Sequence, residues 1–192
     1  NMKRIIVTVF AAALMISPAF AATWNAADRV STVGKNIITK NGLPAKTTFK
    51  VVNGAADNSN TSLTNVIQIS STDLTYTGND SEVAAVIANE MGHIINGTYS
   101  KNQMRNAAKN AITSKLSSDN IISTAANSEF LANKTSLSDE KTADITGVDL
   151  LAKTNYNPLA MIVVITKRPG TTLEALQGKP SNTERAMNVY DY

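Results

Sequence analysis

The sequence has no cysteine and only one histidine among its 192 residues. Without cysteine, disulfides cannot stabilise the fold, which must depend on its hydrophobic core. An excess of charge of one sign is also lacking, because 18 Lys and Arg stand against 15 Asp and Glu with no basic cluster. This near balance argues against a nucleic-acid-binding protein. Beyond the first 21 residues, no apolar run is long enough to span a membrane.

The first 21 residues predict a secretory signal peptide. A basic pair, Lys3-Arg4, precedes an apolar run over residues 5–16, and a small-x-small pattern ends at Ala21. The run is too short to cross a bilayer comfortably and has the layout of a cleaved signal. We therefore expect residues 22–192 to form a single domain in the periplasm or outside the cell. Asn1, which precedes Met2, is expected to be an artefact rather than a natural start.

Hydrophobic periodicity predicts an α+β domain that is mainly helical. A helix over Trp24–Ile38 precedes two β-rich runs, Thr48–Val52 and Asn65–Ser70, which we expect to pair as a small antiparallel sheet. A capping box at Asn79 and Glu82 opens a second helix. Further helices are expected from about residue 101 to 116, over 139–154, from Pro158, and from Ser181 to the C-terminus, while residues 117–137 receive no assignment.

The second helix carries the segment Asn89-Glu90-Met91-Gly92-His93, which differs from the pattern H-E-x-x-H only at its first position. In that pattern, two histidines four residues apart lie on one helix face and bind zinc. The glutamate between them polarises the metal-bound water. Here Glu90 is the candidate catalytic base, His93 is a candidate ligand, and Asn89 stands where the first ligand belongs. A lone histidine on a helix is more often structural, so other segments must supply the rest of a site.

Glu140 and Asp144 are four residues apart and therefore share one face of a predicted helix. A zinc-protease site commonly takes its third ligand from a carboxylate on another helix. Glu140 could fill that position while Asp144 orients a metal ligand through a hydrogen bond. The alternative is that both are ordinary solvated carboxylates.

Taken together, these segments resemble the gluzincin metallopeptidases of the HtpX and CAAX-prenyl-protease type, particularly their small periplasmic members. Residues 82–97 look like the family's active-site helix, and residues 140–158 look like its E-x-x-x-D helix and the turn after it. Lys179 to Arg185 is similar to the closing H-P-S-x-x-x-R segment. The resemblance implies a zincin-like fold that contains an active-site helix.

The resemblance also implies a zinc cofactor, held at the positions of Asn89, His93 and Glu140. Lys179 and Arg185 become further candidate site residues. Strand Asn65–Ser70 would be the sheet edge that pairs with an extended peptide substrate.

Three histidines of the family pattern are replaced, by Asn89, Thr98 and Lys179. Asn89 could donate its NH2 group to Asp144 while its carbonyl oxygen faces a metal, but an amide oxygen is a poorer zinc ligand than imidazole. We therefore expect zinc binding to be weak or absent. Glu90 would then pair with Lys179 or Arg185, or take up a proton.

Two functions are consistent with this pattern. The first is an exported zinc endopeptidase with a weakened site. The second is a catalytically inactive pseudopeptidase that serves as a binding or regulatory module in the cell envelope. Loss of several histidines favours the second, because an engineered substitution at Asn89 would explain only one of them. A secreted structural protein would require the three matching segments to be coincidental.

Overall fold

The computed structural model describes residues 25–98, 137–168 and 182–192. The expected signal peptide, the helix predicted from about residue 101, and Lys179 lie outside these ranges. Across the described ranges, no helix is both long and apolar enough to cross a membrane. The elements are α1 (Ala26–Lys40), β1 (Thr48–Val52), β2 (Val66–Ser70), α2 (Ser71–Leu74), α3 (Asp80–Ile95), α4 (Leu137–Ala152), α5 (Ala160–Lys167) and α6 (Asn182–Asp191).

Side-chain caps fix where two of the long helices begin. Asn25 accepts hydrogen bonds from the first backbone N–H groups of α1. Asn79 accepts from the backbone N–H of Glu82 at 3.0 Å, which confirms the predicted start of α3. The carboxylate of Glu82 reaches back to the backbone N–H of Gly78 at 2.7 Å. These caps satisfy N–H groups that have no partner within their own helix.

The two strands are parallel, with Thr48 opposite Val66 and Val52 opposite Ser70. The prediction of an antiparallel sheet is therefore wrong. Parallel strands need a connection of about a dozen residues or more, because the chain must return to the starting end of the sheet. Residues 53–65 are long enough to do this, so the two strands point the same way.

Helix α3 lies at the centre of the hydrophobic core. Its residues 82–89 and 91–93 are all buried, as expected for a helix surrounded by other elements rather than amphipathic at the surface. It contacts α1, α4, α5 and strand β2. The middle of this helix therefore lies where little solvent reaches it.

Helices α3 and α4 approach each other closely through small residues. A Cβ atom on Gly92 would lie 2.4 Å from the carbonyl oxygen of Ala143, and one on Gly147 would lie 3.2 Å from that of Ala88. Real Cβ atoms do not reach the first of these distances, so glycine is needed at position 92. The contacts pair residue 88 with 147 and residue 92 with 143, so the two helices run antiparallel.

Candidate active-site cluster

The antiparallel crossing of α3 and α4 brings four predicted site residues together. Asn89 and His93 are four apart on α3, and Glu140 and Asp144 are four apart on α4. Asn89 Nδ2 donates to Asp144 Oδ1 at 2.8 Å, and His93 Nε2 lies 3.4 Å from Glu140 Oε2. Because the two spacings are equal, each residue of one pair meets one residue of the other. The hydrogen bond considered for Asn89 from the sequence is present.

Helix α6 adds Arg185 to this cluster. Its Nε atom donates to Asp144 Oδ2 at 2.7 Å and its Nη2 atom donates to Asp144 Oδ1 at 2.6 Å, so the contact is bidentate. The same Nη2 atom lies 3.3 Å from Glu140 Oε2. The Asp144 side chain is fully buried and that of Arg185 is 8% exposed. The guanidinium group therefore balances the carboxylates of α4 in a site with little solvent.

Glu90 is bound by a residue that the sequence analysis did not identify. Asn58 Nδ2 donates to Glu90 Oε2 at 3.0 Å, and Asn58 itself is 1% exposed. Asn58 belongs to the polar connection between the strands, where asparagine is a common turn residue. Neither its spacing nor its neighbours connect it with the motif on α3, so only the folded chain reveals the contact.

The charges of the cluster shift one another's pKa values. Burial lowers the pKa of His93, but the hydrogen bond that His93 donates to Glu140 and the negative charges of Glu140 and Glu90 outweigh it, so the pKa is raised. Burial raises the pKa of Asp144, an effect that Arg185 opposes. The pKa of Arg185 is raised, because Asp144 and Glu140 outweigh burial. Since zinc binds neutral imidazole, a raised pKa makes protons compete with metal at His93.

The residues fit a catalytic zinc only in part. Two ligands bound at about 2.0–2.1 Å to a tetrahedral zinc lie about 3.3–3.5 Å apart, and the separation of 3.4 Å between His93 Nε2 and Glu140 Oε2 matches this. A catalytic site needs a third strong protein ligand. Asn89 turns its NH2 group to Asp144, which leaves only a neutral amide oxygen.

One further observation concerns the number of strong donors. Within the three described ranges, no three histidine or carboxylate side chains converge closely enough to hold a metal. The donor set therefore does not fit a tightly bound catalytic zinc.

Comparison with known proteins gives one family. The sequence model of peptidase family M48 matches residues 25–191. The match spans every helix and strand described above and all three segments on which the sequence resemblance rests. No curated protein and no solved structure gives a significant match.

Proposed function

We propose that this chain, which belongs to peptidase family M48, is a pseudopeptidase that binds extended peptides. The observation that carries the proposal is Asn89, which occupies the first-ligand position of the active-site helix and donates to Asp144 at 2.8 Å. The amide reproduces the hydrogen bond of a ligand histidine but offers a metal only a weak oxygen donor. The family is zinc-dependent, so this replacement affects the reaction directly.

The loss of a strong zinc site removes the chemistry that Glu90 would serve. A bound zinc lowers the pKa of its water to about 7, so that a nearby base can generate a nucleophile at neutral pH. Without zinc, Glu90 would have to deprotonate ordinary water, whose pKa is far above that of zinc-bound water. Its carboxylate is also engaged by the amide of Asn58. These features support a site that keeps the family's fold but has lost direct hydrolysis of peptide bonds.

Peptide binding is proposed for the edge of β2 that faces away from β1. The backbone N–H and C=O of Gln68 are bonded to the Asn58 side chain rather than to β1, so they point to this outer edge. Asn58 also contacts Glu90, which places the edge within one side chain of the active-site helix. A peptide that adds to the edge as a further strand would therefore pass over the cluster.

Export to the cell envelope is part of the same proposal and rests on the signal-like residues 1–21. N-terminal sequencing of protein recovered from periplasm tests it, with Ala22 as the expected first residue. Recovery of uncleaved protein from the cytoplasm alone would contradict it.

The test of the proposed function is metal content together with cleavage and binding. The full chain, purified without chelators, is expected to carry much less than one zinc per molecule and to leave a pool of quenched fluorescent octapeptides uncut. Fluorescence anisotropy with labelled octapeptides should nevertheless detect binding. Stoichiometric zinc together with peptide cleavage would overturn the proposal.

The second candidate is a zinc endopeptidase with a weakened site. It is favoured by one observation, the 3.4 Å separation between His93 and Glu140 that suits a shared zinc. Asn89 would then be the third ligand and Glu90 the base. Cleavage that depends on added zinc and disappears in Glu90→Gln would support this candidate over the pseudopeptidase.

A further inference from the structure

The side chain of Asn58 covers the outer edge of β2 in the way a neighbouring strand would. Gln68 N donates to Asn58 Oδ1 at 2.8 Å, and Asn58 Nδ2 donates to Gln68 O at 2.9 Å. One residue of an antiparallel strand would form this same pair of bonds, one accepted and one donated. The carboxamide of Asn58 therefore occupies the hydrogen-bonding position that an added strand needs at Gln68.

Two further hydrogen bonds attach the connection between β1 and β2, which includes Asn58, to strand β2. The backbone N–H of Asp57 donates to the side-chain carbonyl of Gln68 at 3.3 Å. Ser70 Oγ donates to the carbonyl oxygen of Gly54 at 2.6 Å. Residue 54 thus lies beside residue 70 and residue 58 beside residue 68, so this part of the connection runs back along β2. Asn58 is held in place rather than resting on the edge by chance.

The remaining N–H of Asn58 connects the edge to the active-site helix. Its NH2 group has two hydrogens, and its two acceptors are Gln68 O at 2.9 Å and Glu90 Oε2 at 3.0 Å. The same side chain therefore cannot leave Gln68 without disturbing its bond to Glu90. Occupancy of the edge and the bonding of Glu90 are coupled through this one amide.

We infer that Asn58 is a built-in competitor for the peptide-binding edge, an inference that rests on the proposed function. An extended peptide can pair with Gln68 only after it displaces the carboxamide, because the single N–H of Gln68 is already used. Displacement also removes the hydrogen bond that Asn58 donates to Glu90. The capped form is the resting state, and the apparent affinity for peptide is reduced by the small fraction of uncapped molecules.

The experiment compares full-length variants by anisotropy with a pool of fluorescein-labelled random octapeptides. Asn58→Ala is expected to bind the pool at least about tenfold more tightly than the unaltered chain, because the competitor is gone. Asn60→Ala is the matched control, since Asn60 is an exposed asparagine of the same connection, and it should bind as the unaltered chain does.

Gln68→Pro tests whether binding uses this edge. Proline removes the N–H that points to Asn58 but leaves the hydrogen bonds to β1. The strand should therefore tolerate proline at this position, as edge strands do. In the Asn58→Ala background, Gln68→Pro is expected to abolish binding. If Gln68→Pro abolishes binding but Asn58→Ala and the unaltered chain bind equally tightly, the inference that Asn58 competes with peptide is wrong. The proposed peptide-binding function would then still stand. Failure of every variant to bind the pool would overturn both.

A measurement on the unaltered chain keeps the inference testable if Asn58→Ala does not fold. The side-chain NH2 resonances of Asn58 in a ¹⁵N correlation spectrum should shift when saturating octapeptide pool is added, since the amide leaves both acceptors. Peptide binding with these resonances unmoved would overturn the inference.

Discussion

The Asn89 amide and a ligand histidine can make the same hydrogen bond to Asp144 but differ in what they offer on the opposite side. Asn89 donates to Asp144 at 2.8 Å and leaves a carbonyl oxygen, whereas an imidazole would leave a basic ring nitrogen. The sequence predicts this hydrogen bond, because the family resemblance places Asn89 at a metal-ligand position and Asp144 at the position that orients such a ligand. At the scale of one residue, Asn89 therefore keeps the hydrogen bond between α3 and α4 and offers a metal a poorer donor than imidazole.

Asn89→His should restore strong zinc binding. The new ring can donate one N–H to Asp144 and present its other nitrogen alongside His93 and Glu140, which completes three strong ligands. We expect zinc affinity to rise by at least about 100-fold, since loss of a supporting hydrogen bond alone costs 10–100-fold. Isothermal titration with zinc measures this. Asn89→Gln, which keeps an amide, is the control and should stay weak; equal affinities would show that position 89 does not limit zinc binding.

Arg185→Leu should destabilise the protein by about 3–5 kcal/mol, because it leaves the Asp144 charge buried without its cation. The free energy of unfolding, measured by urea titration, checks this. Lys141→Leu is the control: Lys141 Nζ lies 2.6 Å from Glu184 Oε1, but both side chains are partly exposed, so the expected loss is under about 1 kcal/mol. Similar losses in the two variants would contradict the buried-pair interpretation.

At the scale of elements, the site arises from two helices with the same residue spacing. The 3.6-residue period makes residues four apart share a face, so the sequence predicts the pair on α3 and the pair on α4 separately. It does not predict that the helices run antiparallel and cross at Gly92, which places Asn89 beside Asp144. That arrangement depends on the close backbone contact between Gly92 and Ala143.

Gly92→Ala tests this contact. The added Cβ would lie 2.4 Å from the backbone oxygen of Ala143, so α4 must move away, and we expect a loss of stability of about 1–3 kcal/mol. Thermal unfolding followed by circular dichroism measures the loss. Gly78→Ala is the matched control, because a Cβ there meets its nearest atom at 3.6 Å. An unchanged midpoint in Gly92→Ala would show that the crossing is not tightly packed.

For the strands, local sequence predicts the bounds but the predicted pairing direction was wrong, and the short helix α2 was not predicted at all. The bounds of β1 match the predicted run, and those of β2 differ by one residue. The direction of pairing was wrong, although a connection as long as residues 53–65 was a signal for a parallel pair. Helix α2 was not predicted, because a single turn that begins at a Ser70 cap is too short to show a helical period.

At the scale of the whole molecule, Glu82 connects the start of α3 to the end of α5. Burial raises the pKa of Glu82, but the hydrogen bonds from Lys167, the Gly78 N–H and Asn79 outweigh it, and the pKa is lowered. A carboxyl group whose pKa is lower in the folded chain binds fewer protons there than in the unfolded chain. It therefore stabilises the fold above its unfolded pKa, and this stabilisation is lost as pH falls through the folded pKa.

We expect the free energy of unfolding to fall when pH is lowered from about 6 to about 3, and to fall less steeply in Glu82→Gln, which cannot titrate. Urea unfolding at several pH values gives both slopes. Glu82→Gln should also be less stable near pH 6, because the bond from Lys167 Nζ at 2.7 Å loses its charged acceptor. Parallel pH curves for the two proteins would show that Glu82 does not contribute.

The sequence by itself determined the mainly helical class, the positions of Glu90 and His93 on one helix, and the equal spacing of Glu140 and Asp144. These depend on residues near one another in the chain, where helical period and caps act. Only the tertiary structure decided the placement of Arg185 on Asp144 and the bridge that Asn58 makes between Gln68 and Glu90. Asn58 and Glu90 are 32 residues apart, and contacts at such a distance depend on how the elements pack rather than on any local pattern.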